Sequence, residues 1–141
     1  MPKNKNKKIR LVVDVDAWVS SLLSLSFYER LKIVFDSKYL LVVSTRLFSE
    51  LDQAVSKPHL SRRIVWADYM DLVSQLRTDA ELVDVSSTVD VCSDPKDNFL
   101  LALAKDGNAD YLITGDNDLR TMKEFEKTKI VSLSDFEAAV H

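Results

Sequence analysis

The stretch Ala109-Asp110-Tyr111-Leu112-Ile113-Thr114-Gly115-Asp116-Asn117-Asp118-Leu119 decides how this chain is read. Tyr111 to Thr114 is short, apolar and partly β-branched, the signature of a buried strand. Gly115 and Asp116 follow as turn chemistry, so a carboxylate stands just past the strand end. Ile9 to Val13 repeats the arrangement with Asp14 behind it. Tyr39 to Val43 predicts a second buried strand, and Ser44 or Thr45 an N-cap for a helix through Val55 that carries Glu50. Asp94-Pro95 opens another helix, with Asp as cap and Pro at the first helical position. That helix runs to about Asp106, and Gly107 is its expected stop.

The remaining segments fill in the alternation. Ala17 to Leu25 reads as helix, and Phe27 to Ser37 as an amphipathic helix. Ser61 to Arg77 predicts a longer one, with Ile64, Val65, Met70, Val73 and Leu76 on its apolar side. Glu81 to Val85 is a short strand, Leu119 to Glu126 a short helix, and Ile130 to Leu133 a last strand, with Ser134 capping a final helix. Strands alternating with helices predict an α/β fold: a three-layer sandwich around a central parallel sheet of about five strands. One domain is expected over residues 9–141, preceded by a basic tail over residues 1–8. The tail reads as a solvated end, with a weak RNA-contacting arm as the alternative.

Composition narrows the chemistry. With 46% hydrophobic residues in 141, the chain has material for a core without disulfides, and Cys92 has no partner in any case. A reducing cytoplasm is the expected setting. His59 and His141 are the only histidines, which argues against a zinc site built on His and Cys. Two glycines leave no Gly-rich phosphate loop, excluding P-loop and dinucleotide-binding readings. The most apolar N-terminal window, Leu11 to Phe27, contains Asp14 and Asp16 and does not read as a membrane span. A net charge of −3 does not advertise nucleic-acid binding, but several acids gathered in one site would leave the rest of the surface more basic than that figure.

Open parallel sheets bind ligands at the carboxyl ends of their strands, near the point where strand order reverses. Asp14 and Asp116 stand there on the strand reading alone. Asp94 and Asp97 lie one helical turn apart, and Glu50 is near enough to its helix start to reach inward. Unpaired carboxylates in one pocket repel one another, and a hard divalent cation such as Mg²⁺ or Mn²⁺ relieves that repulsion. The group therefore predicts metal-assisted phosphate chemistry. Each acid has a plainer reading: Asp94 as a cap, Asp97 as a first-turn acid, Asp16 and Asp118 as solvent-facing charges. Lys57, His59, Arg62 and Arg63 cluster around a helix start, either as a solvated face or as contacts to an RNA backbone. Trp18, Trp66, Phe27 and Phe48 read as core or interface, and Cys92 as a small buried apolar residue.

Four blocks together resemble the PIN-domain family of metal-dependent ribonucleases, in particular its VapC-like branch of toxins from toxin–antitoxin pairs. They are Leu11-Val12-Val13-Asp14-Val15-Asp16-Ala17-Trp18-Val19-Ser20, Ser44-Thr45-Arg46-Leu47-Phe48-Ser49-Glu50-Leu51, Asp94-Pro95-Lys96-Asp97-Asn98-Phe99-Leu100-Leu101-Ala102-Leu103-Ala104 and the stretch quoted first. The third and fourth are specific in this order and spacing. The resemblance implies that Asp14, Glu50, Asp97 and Asp116 match the family's catalytic acids. Asp14, Asp97, Asp116 and the extra acid Asp118 would be its Mg²⁺ or Mn²⁺ ligands. Thr114 matches a residue near the site that hydrogen-bonds the first aspartate; with Arg62 and Arg63 it is grouped as substrate-binding. The implied activity is endonucleolytic hydrolysis of RNA phosphodiesters, leaving 5′-phosphate and 3′-hydroxyl ends. The implied partners are an RNA substrate, a cognate antitoxin and a second copy of the chain in a dimer or higher oligomer. This chain departs from the family at Val15-Asp16, where a Thr-Asn pair is usual.

Two other functions compete. Asp14-Val15-Asp16, Val42-Val43-Ser44 and Gly115-Asp116-Asn117-Asp118 resemble motifs of haloacid-dehalogenase-like phosphatases, with Asp14 as nucleophile and Asp16 as proton shuttle. That reading leaves Asp97 and Glu50 unexplained. The other is a catalytically degenerate PIN domain that only binds a partner, motivated by Val15-Asp16.

Overall fold

A computed structural model describes residues 7–92 and 94–140. Most of the expected basic tail, residues 1–6, lies outside the described residues. Six strands form one sheet in the order β3-β2-β1-β4-β6-β5. They are β1 (Ile9–Val13), β2 (Tyr39–Val43), β3 (Glu81–Leu82), β4 (Tyr111–Ile113), β5 (Glu124–Phe125) and β6 (Thr128–Val131). All pairings are parallel except β5 with β6.

Consecutive strand residues face opposite sides of a sheet. Leu11, Val12 and Val13 are each at most 1% exposed, as are Leu112 and Ile113, so both faces are covered and the fold has three layers. The cover comes from α1 (Val15–Leu23), α2 (Leu25–Leu31), α3 (Thr45–Val55), α4 (Pro58–Ser61), α5 (Trp66–Asp79), α6 (Asn98–Asp106), α7 (Asn117–Arg120) and α8 (Leu133–Ala139). Side-chain caps define several of their starts: Asp14 for α1, Ser24 for α2, Ser44 for α3, Asp116 for α7 and Ser132 for α8. Phe136 of α8 packs against Tyr39 and Tyr111 at ring distances of 5.4 and 5.3 Å, pinning the last helix to β2 and β4.

The sheet has six strands rather than about five. The segment expected to continue as helix to Glu126 ends at Arg120, and Glu124–Phe125 turns into β5. Lys123 and Glu126 take left-handed φ values of 66° and 51°, which permits the tight hairpin although neither residue advertises it. The helix expected over 61–77 starts only at Trp66, since α4 ends at Ser61. Val65 is extended with ψ 116°, and Ile64 turns into the core, separating α4 from α5. The strand expected to reach Val85 pairs only through Val83, whose N–H donates to Val43 O at 2.8 Å, because β2 ends there. The helix expected over 27–37 gives way after Leu31 to a 3₁₀ turn, Lys32–Phe35. The final cap is Ser132, not Ser134. Trp18 is buried as expected, whereas Trp66 is 59% exposed and outside the core.

Helix α6 ends at Gly107 as the sequence predicts, for a different reason. Gly107 has φ −86°, and the left-handed position belongs to Asn108 at φ 51°. Gly107 is required by close approach: an added Cβ would sit 2.8 Å from Leu103 O and 3.1 Å from Val42 Cγ2. Gly115 has nothing within 4 Å of the same position. Gly107→Ala is therefore expected to destabilise the fold by about 1–3 kcal/mol, and Gly115→Ala to change stability by no more than about 0.5 kcal/mol. Urea unfolding of the two variants checks this, and equal stabilities would remove the packing account of Gly107.

Candidate active site

Strand order reverses around the β1–β4 seam, since β1 leads to β2 on one side and meets β4 on the other. Asp14 and Thr114 follow these two strands. Thr114 Oγ1 donates to Asp14 Oδ2 at 2.6 Å, and the backbone N–H of Asp116 donates to Thr114 Oγ1 at 3.0 Å. One hydroxyl thus ties two acids a hundred residues apart into one chain of hydrogen bonds. Thr114 is 1% exposed. Grouped with substrate-binding residues on sequence grounds, it is buried here with its hydroxyl engaged by Asp14 and by the Asp116 N–H.

Asp14 is only 5% exposed. Its Oδ1 accepts from the N–H of Asp16 at 3.3 Å, capping α1. Burial pushes its carboxyl above the ordinary range, the Thr114 hydrogen bond pulls the other way, and the charges of Asp16 and Asp116 add to the rise. Asp116 caps α7, with Oδ1 accepting from Leu119 N at 3.2 Å.

Asp97 ends a 3₁₀ turn, Pro95–Asp97, which leads directly into α6. The turn is opened by Asp94, whose Oδ1 accepts from Lys96 N at 3.1 Å. Asp97 is half-buried, and its Oδ2 has no hydrogen-bond partner. Its pKa is pushed up to about 7 by burial first, then by the charge of Asp116, a shared proton with Asp116, and the charges of Asp14 and Asp94. The structure therefore brings Asp14, Asp97 and Asp116 into one electrostatic group, with Asp94 beside it. Asn98 helps hold the approach, its Oδ1 accepting from the N–H groups of Val91 and Cys92 at 3.3 and 2.9 Å. Buried Cys92 feels the charges of Asp97, Asp116 and Asp118, though burial is the main cause that raises its thiol pKa.

The other acids stand further out. Asp118 and Asp16 are exposed in the first turns of α7 and α1. Glu50 is half-buried on α3 and is held by Arg46, whose Nε lies 2.7 Å from Glu50 Oε2. The Arg46 guanidinium lies over the Phe99 ring at 5.0 Å, joining α3 to the start of α6. Sequence reasoning missed Arg46; its spacing of four residues before Glu50 was the available signal. Arg62 and Arg63 lie past α4 and are exposed. The 11 residues of α3 carry the chain about 16 Å from the strand ends before it reaches them.

Among the described residues no three His, Cys, Asp or Glu side chains stand as a ready metal-holding group, and the neighbouring Asp116 carboxyl helps raise the pKa of Asp97, after burial. The donor chemistry nevertheless fits a hard cation: oxygen-only ligands, mutual repulsion, and one buried carboxylate oxygen without a donor.

A family model described as PIN domain matches residues 10–118. The chain belongs to the PIN-domain family. PIN domains are generally nucleases. Membership sets the haloacid-dehalogenase-like reading aside. This PIN domain is similar in fold to the crystal structure of PAE2754 from Pyrobaculum aerophilum. The TM-score is 0.55 at 16% identity, covering 93% of this chain and 88% of that one. Among curated proteins none matches this chain. Among the described residues no helix of this PIN domain is long and apolar enough to cross a membrane.

The raised Asp97 carboxyl makes the domain's stability depend on pH. Unfolded, Asp97 takes its ordinary value of 3.8; folded, it holds its proton to about pH 7. The folded state binds more protons in between, so its stability falls as pH rises through that window. In EDTA, urea-unfolding free energy is expected to drop from pH 4 to pH 7, and Asp97→Asn to flatten the drop. An unchanged slope in that variant would place the effect on other groups.

Proposed function

We propose that this PIN domain is a metal-dependent endoribonuclease and the toxin of a toxin–antitoxin pair. The observation that carries the nuclease reading is the hydrogen-bonded chain Asp14–Thr114–Asp116, set beside the unpartnered oxygen of Asp97 at the carboxyl edge of the sheet. Asp14, Asp97 and Asp116, with Asp118 from the rim, would hold Mg²⁺ or Mn²⁺. The bound ion supplies an activated water and neutralises charge at the phosphate. Thr114 orients Asp14 and Asp116, and the caps of α1 and α7 keep both carboxylates at the strand ends. Glu50 of α3, steadied by Arg46, would orient ligands or water.

The toxin role rests on the resemblance of the acid-bearing blocks, and it brings a cytoplasmic setting, an antitoxin and self-association with it. An apolar cleft of about 430 Å³ between α1, α2 and α5, lined by Trp18, Leu22, Leu25, Tyr28 and Phe35, supplies a surface of the kind such a partner needs.

Purified protein incubated with a mixed RNA pool in Mn²⁺, Mg²⁺ or EDTA tests the activity, beside Asp14→Asn and Asp116→Asn variants matched for folding by circular dichroism. Cleavage in metal, lost in EDTA and in both variants, with 5′-phosphate ends on the products, is expected. A well-folded wild type that leaves RNA intact in both metals would replace the nuclease with a binding module.

A further inference from the structure

We infer that the α3–α5 hairpin carries a track for single-stranded RNA that runs away from the acid cluster and ends on the exposed indole of Trp66. The inference rests on the ribonuclease reading for the identity of the polymer. Its geometry is independent of the acids.

Helices α3 and α5 pack side by side in opposite directions. Arg77, near the end of α5, lies over the ring of Phe48, near the start of α3, at 4.9 Å. Tyr69, near the start of α5, donates its hydroxyl to Asp52 Oδ1 of α3 at 3.1 Å. Arginine over an aromatic ring thus recurs along the hairpin: Arg46 on Phe99 beside the acids, then Arg77 on Phe48. Beyond them comes Trp66, 59% exposed, with its ring 5.1 Å from that of buried Tyr69. Tyr69 is anchored to α3, so the indole above it is braced rather than loose. An apolar ring held open to solvent beside cations has the character of a base-stacking platform.

Charge points the same way. No Asp or Glu occurs between Asp52 and Asp68, while Lys57, His59, Arg62 and Arg63 do. All four are exposed, and among the described residues no ion pair engages Lys57, Arg62, Arg63 or Arg77. Helix α5 sorts its own charges. Trp66, Met70, Val73 and Arg77 share one stripe by their spacing, whereas Asp68, Asp71 and Gln75 line the cleft against α1 and α2. Asp68 and Asp71 thus stand off the stripe, and the exposed Asp52 of α3 is engaged by the Tyr69 hydroxyl. A chain with net charge −3 that keeps a patch of unpaired arginines beside an exposed tryptophan is built for a flexible polyanion with stackable bases. The rigid groove of a duplex offers no such ring contact.

The test is binding of a fluorescently labelled oligouridylate in EDTA, where cleavage is off, followed by anisotropy. Trp66→Ala is expected to weaken binding roughly fivefold or more, and Trp66→Phe to keep most of it. Arg62→Ala with Arg63→Ala is expected to lower the salt dependence of log affinity by about 1.4, or about 0.7 for each phosphate no longer neutralised. Oligouridylate should quench the exposed tryptophan of the wild type but not the remaining buried Trp18 in Trp66→Phe. Circular dichroism melts confirm that the variants fold. Failure of the wild type to bind, wild-type affinity in Trp66→Ala and the arginine variant, or equal loss on duplex RNA would each overturn the track. Binding without cleavage in Mn²⁺ would fail the nuclease reading and leave the track standing. Cleavage of RNA by variants that bind normally would fail the track alone.

Discussion

Thr114 Oγ1 donates to Asp14 Oδ2 at the seam where β1 meets β4, and the site is arranged around that contact. A carboxylate 5% exposed is expensive to hold without donors. Thr114 supplies one donor, and the first turn of α1 supplies another through the N–H of Asp16. The same contact sets the register between the two strand ends, reinforced by the backbone bond from Asp14 N to Ile113 O at 3.0 Å. The residual strain is electrostatic and shows as the raised carboxyls of Asp14 and Asp97. Such a site can exist because the strands beneath it, through Leu11, Val12, Leu112 and Ile113, are buried on both faces.

The unusual Val15-Asp16 pair changes charge more than architecture. The Asp16 contribution to capping comes from its backbone N–H, which any residue but proline would supply. Its carboxylate is exposed and raises the Asp14 pKa from outside. Val15 is buried and packs where a threonine would bring a hydroxyl. The second support for Asp14 therefore lies across the sheet in Thr114 rather than next door in sequence.

Alternation of apolar runs with helical patterns was enough to read the α/β layers, because β1, β2 and β4 are buried on both faces and carry no competing period. The acids were legible because they follow such runs or cap helices, where local rules place them without knowledge of the fold. The hairpin of β5 was not legible. Lys123 and Glu126 adopt left-handed backbone without glycine, an outcome imposed by pairing with β6. The break at Ile64-Val65 was hidden for a similar reason: both residues suit a helix face, and only the packing of Ile64 into the core decides that the chain turns there.

The chain by itself determined which elements form and which carboxylates stand at strand ends and helix starts, since periodicity, caps and turn residues act over a few positions. Tertiary structure decided who faces whom. It assigned the Thr114 hydroxyl to Asp14, set Asp97 where burial and then the charge of Asp116 raise its pKa, and left Trp66 outside the core. Those outcomes depend on strand order and helix packing, which bring together residues tens to a hundred positions apart, and on burial, which sets how strongly charges act once they meet.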